Sequence, residues 1–228
     1  MQIFVDSASI TDIKKWLEMG VIDGVTTNPS IMLKDGVYDT EAGAKEIAAL
    51  INPRSVSVEV TTNNLDEMVT QAQKLASWAP NINVKIPQIT PDGIPCYGVI
   101  RQLEGKGIRV NATIAMSLGQ VMLAAKAGAT YVSIFAGRIG DEGGNAPQVI
   151  KNSVEWLERW KYGSKIIVGS IRSVGDVLNA AMAGAHIITI PPQFLNQMVD
   201  HRYTRAIVER FTNDANKALK MMKEAGQR

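Results

Sequence analysis

Apolar and polar positions in this chain alternate in short β-branched runs at 2–6, 24–28, 56–61, 82–86, 109–114, 131–136, 165–170 and 186–190, which predicts eight strands. Between the runs, apolar residues return at helical spacing, as from Thr11 to Met19, Leu65 to Trp78 and Val149 to Trp160. The step between strands averages roughly 26 residues, the length needed for one strand, one helix and two short loops. Gly20, Gly107, Gly128, Gly163 and Gly184 precede strands at positions where helices end in a left-handed residue. Eight such units predict an α/β chain forming a single (β/α)8 TIM barrel, one domain over 1–228. A doubly wound open sheet is the rival. It would carry a glycine-rich phosphate loop after an early strand, and Asp6-Ser7-Ala8-Ser9 is no such loop. A long helix is expected at about 204–224, with Ile207, Phe211, Ala215, Leu219 and Met222 along one stripe. Its simplest role is the eighth barrel helix.

The same alternation sorts side chains between helices and barrel interior. In the third run Val56, Val58 and Val60 oppose Ser55, Ser57 and Glu59, so the valines should meet helices and Glu59 should point inward. In the fourth, Asn83 and Lys85 share the face opposite Val84 and Ile86. In the fifth, Arg109, Asn111 and Thr113 oppose Val110, Ala112 and Ile114. Asp6, Thr26 with Asn28, and Ser133 with Phe135 extend the inward set, while Arg138, Ser170 and Arg172 follow at or just beyond strand ends. One inward lysine could belong to a structural ion pair. Asp6, Glu59 and Lys85 together, among hydroxyls and amides, would make a poor core. They mark a site at the C-terminal rim of the barrel.

Composition narrows the chemistry. The chain is 46% hydrophobic and 20% charged with a net charge of +2, and the signs are interspersed, so neither nucleic acid nor a membrane is expected as a partner. A lone cysteine, Cys96, excludes an intrachain disulfide, and no signal-like or bilayer-length apolar stretch is present, which makes a cytoplasmic protein the expectation. Cys96 lies in a segment leading a helix and is not expected to react. The only histidines are His186 and His201, too few for a metal cluster; His186 opens a strand at the far end and reads as a polar cap. No metal is therefore expected, and no cofactor either, since the Lys85 amine would be supplied by the protein. A desolvated lysine amine beside carboxylates suits Schiff-base formation with a carbonyl, followed by carbon–carbon bond cleavage or formation. Arg138 and Arg172, with Ser170 between them in sequence, fit the phosphate of a sugar phosphate.

With these residues in place, the chain resembles the small transaldolases and the similar fructose-6-phosphate aldolases over nearly its full length. The matching stretches are Phe4-Val5-Asp6-Ser7-Ala8, Gly24-Val25-Thr26-Thr27-Asn28-Pro29-Ser30, Val84-Lys85-Ile86-Pro87, Asn111-Ala112-Thr113 and Ala136-Gly137-Arg138. The resemblance implies Lys85 as Schiff-base former, Asp6 as acid/base at the bond cleaved, and Glu59 with Thr113 positioning a water. It implies Asn28, Asn111 and Ser133 on substrate hydroxyls, and Ser170, Arg138 and Arg172 on phosphate. It further implies a homo-oligomer, a pentamer or a decamer of paired rings, with the C-terminal helix against a neighbour. Ser7 stands where threonine is common in the family, and the resemblance is to the small members, so the additional N-terminal helical segment of the long transaldolases is not expected. Fructose-6-phosphate aldolases resemble the chain but carry Gln in place of Glu59 and Tyr in place of Phe135, so transfer is expected over release of free dihydroxyacetone. An aldolase and a non-catalytic sugar-phosphate-binding barrel are the two alternatives.

Overall fold

The structure, a computed structural model, describes residues 1–226. They divide into two compact units, Met1–Pro192 and Gln193 onward. In the first unit the chain runs β1 (Gln2–Asp6), α1 (Ile10–Glu18), β2 (Gly24–Thr26), α2 (Pro29–Lys34), α3 (Thr40–Ile51), β3 (Ser55–Glu59), α4 (Leu65–Ser77) and β4 (Ile82–Pro87). It continues through α5 (Tyr97–Glu104), β5 (Val110–Ala115), α6 (Leu118–Lys126), β6 (Tyr131–Phe135), α7 (Ala136–Asp141), α8 (Ala146–Arg159), β7 (Lys165–Gly169), α9 (Val174–Met182) and β8 (Ile187–Ile190). The eight strands are parallel, pair in sequence order and close β8 onto β1. That is a (β/α)8 barrel, and the open-sheet rival falls.

Short polar loops after the strands launch the helices. The side chains of Ser9, Asn28, Asn64, Ser117 and Ser173 each accept a backbone N–H of the first helical turn. Each such cap is worth about 1 kcal/mol, and each fixes the path by which the chain leaves the C-terminal rim. The helices bury one stripe against the sheet, as α8 does with Ile150, Val154 and Leu157. Inside the barrel, Phe4, Ile167 and Ile187 form an apolar plug with Tyr131 packed on it. Gly24 is required beside that plug, because a Cβ there would lie 2.6 Å from the Phe4 ring. The plug lies two residues along the strands below Asp6 of β1 and Thr189 of β8.

Two local expectations fail. Gly163 is not left-handed; Lys161, with φ 54°, makes that turn two residues earlier. Ile114 does not continue the outward row of Val110 and Ala112. The β5–β6 register shifts between Ala112 and Ala115, Ile114 adopts φ 62°, and its side chain comes round to the rim. The extra residue breaks the period of two, which no alternation pattern can foresee.

The second unit holds most of α10 (Pro192–Val199) and all of α11 (Arg202–Ala225). His201 caps α11, accepting the Tyr203 N–H at its Nδ1, and no residue of α11 is buried.

Candidate active site

A cavity of about 580 Å³ opens above the inward polar layer. Lys85 stands on its floor, 4% exposed, with Nζ 2.8 Å from Glu59 Oε2 and donating to the Thr27 carbonyl at 2.9 Å. Glu59 and Lys85 are paired residues of β3 and β4, so the strands' hydrogen-bond register sets the contact. Asp6, from β1, lines the same cavity and accepts at Oδ1 from Thr26 Oγ1 at 2.6 Å. Burial lifts the Asp6 carboxyl above its ordinary pKa; the Thr26 hydrogen bond and then the Lys85 ammonium pull against this, while Asp35 and Glu59 add to it. A carboxyl held up in this way sits closer to exchanging protons near neutral pH.

Beside Lys85, whose β5 partner is Asn111, a polar network fixes further groups. Ser133 Oγ donates to Asn111 Oδ1 at 2.7 Å, and Asn111 Nδ2 donates to Ser57 Oγ at 3.2 Å. Thr113 is fully buried, and its hydroxyl has no partner among the described residues. A buried hydroxyl without a protein partner is where a bound water or a substrate oxygen belongs. Asn28 caps α2, its Oδ1 accepting the Ile31 N–H at 2.9 Å, and its side chain lines the cavity.

At the rim, Phe135 ends β6 and Arg138 follows on α7. Ser170 is left-handed, φ 58°, and its carbonyl accepts the Gly137 N–H at 3.0 Å. A Cβ at Gly137 would lie 2.1 Å from that carbonyl, so glycine alone permits the approach of these two loops. The two non-glycine left-handed residues of the rim, Ile114 and Ser170, both line the cavity.

The structure therefore brings together Asp6, Thr26, Asn28, Glu59, Lys85, Ser133, Phe135, Arg138 and Ser170 around one space, with Asn111 and Thr113 buried on the adjoining β5 and outside the lining. Arg172 lies outside that lining. Its guanidinium sits on Asp141 at 2.8 Å, and Arg138 meets the same carboxylate at 3.4 Å. Beyond the expected residues, the lining includes Pro29, Ser30, Ile31 and Lys34 of α2, together with Ile114, Gly169 and Thr189. Thr189 could have been reached from inward parity, since it lies two residues from Ile187 of the plug. Away from the cavity, Cys96 is buried at the start of α5, where burial pushes its thiol up. His186 Nδ1 accepts the Ile166 N–H at the opposite end of the barrel. Among the described residues no three His, Cys, Asp or Glu side chains are grouped to hold a metal ion, and no helix is long and apolar enough to cross a membrane.

The model of the transaldolase/fructose-6-phosphate aldolase family matches residues 3–227. A probable transaldolase of Dehalococcoides mccartyi is 39% identical over 94% of this chain and 97% of its own length. A probable transaldolase of Lactiplantibacillus plantarum is 41% identical over 94% and 96%. Among solved structures, dihydrodipicolinate synthase from Rhodopseudomonas palustris superposes with a TM-score of 0.58 at 14% identity, covering 83% of this chain and 69% of that one. Thiamine phosphate pyrophosphorylase from Pyrococcus furiosus gives 0.57 at 12%, covering 83% and 85%. At such identities the superpositions speak for the barrel fold alone.

Proposed function

Because the chain belongs to the transaldolase/fructose-6-phosphate aldolase family, we propose that it transfers a dihydroxyacetone unit between sugar phosphates through a Schiff base on Lys85. The donor is sedoheptulose 7-phosphate or fructose 6-phosphate, and the acceptor is glyceraldehyde 3-phosphate or erythrose 4-phosphate. The observation that carries the reading is a buried amine, Lys85 Nζ, 2.8 Å from Glu59 with Asp6 on the same cavity wall.

Lys85 passes a proton to Glu59 and attacks the C2 ketone of the donor. The carbinolamine loses its hydroxyl as water, with protons managed by Glu59 and by a water on the Thr113 hydroxyl, and an iminium results. Asp6 takes the C4 hydroxyl proton. The C4–O electrons close a carbonyl, the C3–C4 bond breaks, and its pair moves through C3 into the iminium to leave an enamine. The phosphorylated aldehyde departs. C3 of the enamine then attacks the acceptor aldehyde, Asp6 returns the proton to the new alkoxide, and water releases Lys85. Asn28, Asn111 and Ser133 meet the hydroxyls of the dihydroxyacetone unit. Arg138 and Ser170 meet phosphate, with Arg172 beside Arg138 on the shared Asp141 carboxylate.

Phe135 favours transfer over simple cleavage. It lines the cavity on the same inward row as Ser133 and has no proton to give the enamine. The enamine then waits for an acceptor, whereas a tyrosine hydroxyl could protonate it and release dihydroxyacetone. A coupled assay with fructose 6-phosphate, with and without erythrose 4-phosphate, tests this. Turnover should depend on the acceptor, and Phe135→Tyr should raise acceptor-free release. Rapid acceptor-free cleavage by the unmodified protein would establish the aldolase instead. The same reading includes a homo-oligomer, supported by Ile207, Phe211, Leu219 and Met222 lying exposed along α11; sedimentation of the full chain measures it.

A further inference from the structure

Thr26 Oγ1 lies between two partners, 2.6 Å from Asp6 Oδ1 and 2.5 Å from Thr189 Oγ1, and both threonines are buried. A threonine hydroxyl has one proton to give and lone pairs to receive. While Asp6 is a carboxylate it can only accept, so Thr26 donates to it and takes the Thr189 proton in turn. Once Asp6 holds a proton on Oδ1, the carboxyl can donate to Thr26, and the Thr26 proton turns to Thr189. Only hydrogens move. We propose that Thr189 is a positioning residue for Asp6, the far half of a hydroxyl pair whose hydrogen bonds reverse direction and so serve Asp6 in both of its protonation states. The inference rests on the reading of Asp6 as the group that exchanges a proton with the C4 hydroxyl.

The backbone and packing hold Thr189 for this task. β8 closes onto β1 with Thr189 opposite Phe4, two residues below Asp6. On the other side, Gly169 of β7 leaves room for the threonine methyl: a Cβ there would lie 3.3 Å from Thr189 Cγ2. With the methyl toward Gly169, the hydroxyl meets Thr26. An apolar side chain at 189 would leave the Thr26 proton facing no acceptor whenever Asp6 is the donor, which is the costly half of a broken buried hydrogen bond.

Thr189→Val keeps the volume and removes the hydroxyl. Borohydride added during turnover of fructose 6-phosphate traps the Lys85 adduct before cleavage as a hexose phosphate mass and after cleavage as a dihydroxyacetone mass. In Thr189→Val the kcat for transfer should fall roughly three- to tenfold, the loss of one neutral hydrogen bond, with KM unchanged. The trapped adduct should shift toward the uncleaved hexose phosphate. Thr189→Ser should restore kcat to within about twofold of the parent, since a single neutral hydrogen bond is all that is replaced. If the valine variant does not fold, Thr189→Ala carries the same test. The proposal is overturned by an unchanged kcat, by a serine variant as slow as valine, or by total adduct falling in step with kcat at a constant mass ratio, as a merely structural residue would give. A parent protein that forms no adduct on Lys85 would remove the functional reading itself, and the proposal with it, a result recognisable before any variant is made.

Discussion

Two clusters of opposite charge in this molecule share a closest approach of 2.8 Å and differ in almost everything else. Lys85 and Glu59 meet with side chains 5% and 14% exposed, while Arg172 and Asp141 meet at 51% and 47%. At a given separation, charges in a medium of effective dielectric about 20 interact about four times as strongly as in bulk water. The exposed pair contributes at most about 1 kcal/mol and can be given up to an arriving anion. The buried pair cannot be released to solvent, and removing either partner strands the other. Their supports differ accordingly. Lys85 and Glu59 stand on adjacent strands in fixed register, whereas Asp141 ends the short helix α7 and Arg172 sits in the loop after β7. Covalent chemistry needs the first kind of site; capture and release of phosphate suits the second.

The largest test of this contrast is Lys85→Arg. The charge remains, but a guanidinium stays protonated and forms no imine under these conditions. Transfer should drop by about 10⁴-fold or more, the scale on which loss of a nucleophile acts. Mass analysis of the borohydride-treated parent should place a dihydroxyacetone adduct on the peptide containing Lys85. Label on another lysine would move the centre elsewhere.

At the exposed cluster the losses should be smaller and confined to phosphorylated substrates. Arg138→Ala or Arg172→Ala should lower kcat/KM roughly tenfold or more, from a charge-assisted contact worth about 1.5–3 kcal/mol. An unphosphorylated analogue should be turned over nearly as before. Equal losses on both substrates would assign the arginines to structure. Salt separates the clusters without mutation: raising ionic strength from about 0.05 to 0.5 M should raise KM for the sugar phosphate, while adduct formation from unphosphorylated dihydroxyacetone stays level.

The smallest effect concerns stability. The folded-state pKa of Asp6 lies above its unfolded value, so the native protein binds the proton more tightly. Its contribution to stability is full below the unfolded pKa and is lost as pH rises through the folded one. Asp6→Asn, inactive in transfer, should therefore melt a few degrees higher than the parent at neutral pH. That advantage should shrink as pH falls toward 4 (the ordinary Asp pKa is about 3.9). A melting difference independent of pH would mean that the Asp6 carboxyl carries no such penalty.

Much of the site was legible because parity along a strand is local. Glu59 and Lys85 face the interior for the same reason that Val58 and Ile86 do not; Asp6 closes its run, and Glu59 and Lys85 lie in the C-terminal halves of theirs. The failures are equally specific. Ile114 was placed on the outer face because a bulge has no signature in alternation, and Lys161 took a turn that glycine spacing assigned to Gly163. Arg138 and Arg172, expected side by side after strands 6 and 7, share the Asp141 carboxylate, a partner that the linear pattern does not reveal, and only Arg138 lines the cavity.

The amino-acid pattern alone determined the eight β/α units, the inward row of polar groups and the end of the barrel on which they lie. These follow from backbone periods of 2 and 3.6 residues, and every residue of a strand or helix expresses them without reference to distant chain. Closure decided the rest. Thr26 and Thr189 stand 163 residues apart and meet only because β8 pairs with β1. The Asn111–Ser133 bond, the approach of Gly137 to the Ser170 carbonyl and the left-handed turn at Ile114 likewise depend on which strand end lies beside which. Contacts of this kind arise from side-chain packing and loop geometry across the closed barrel, and no local period encodes them.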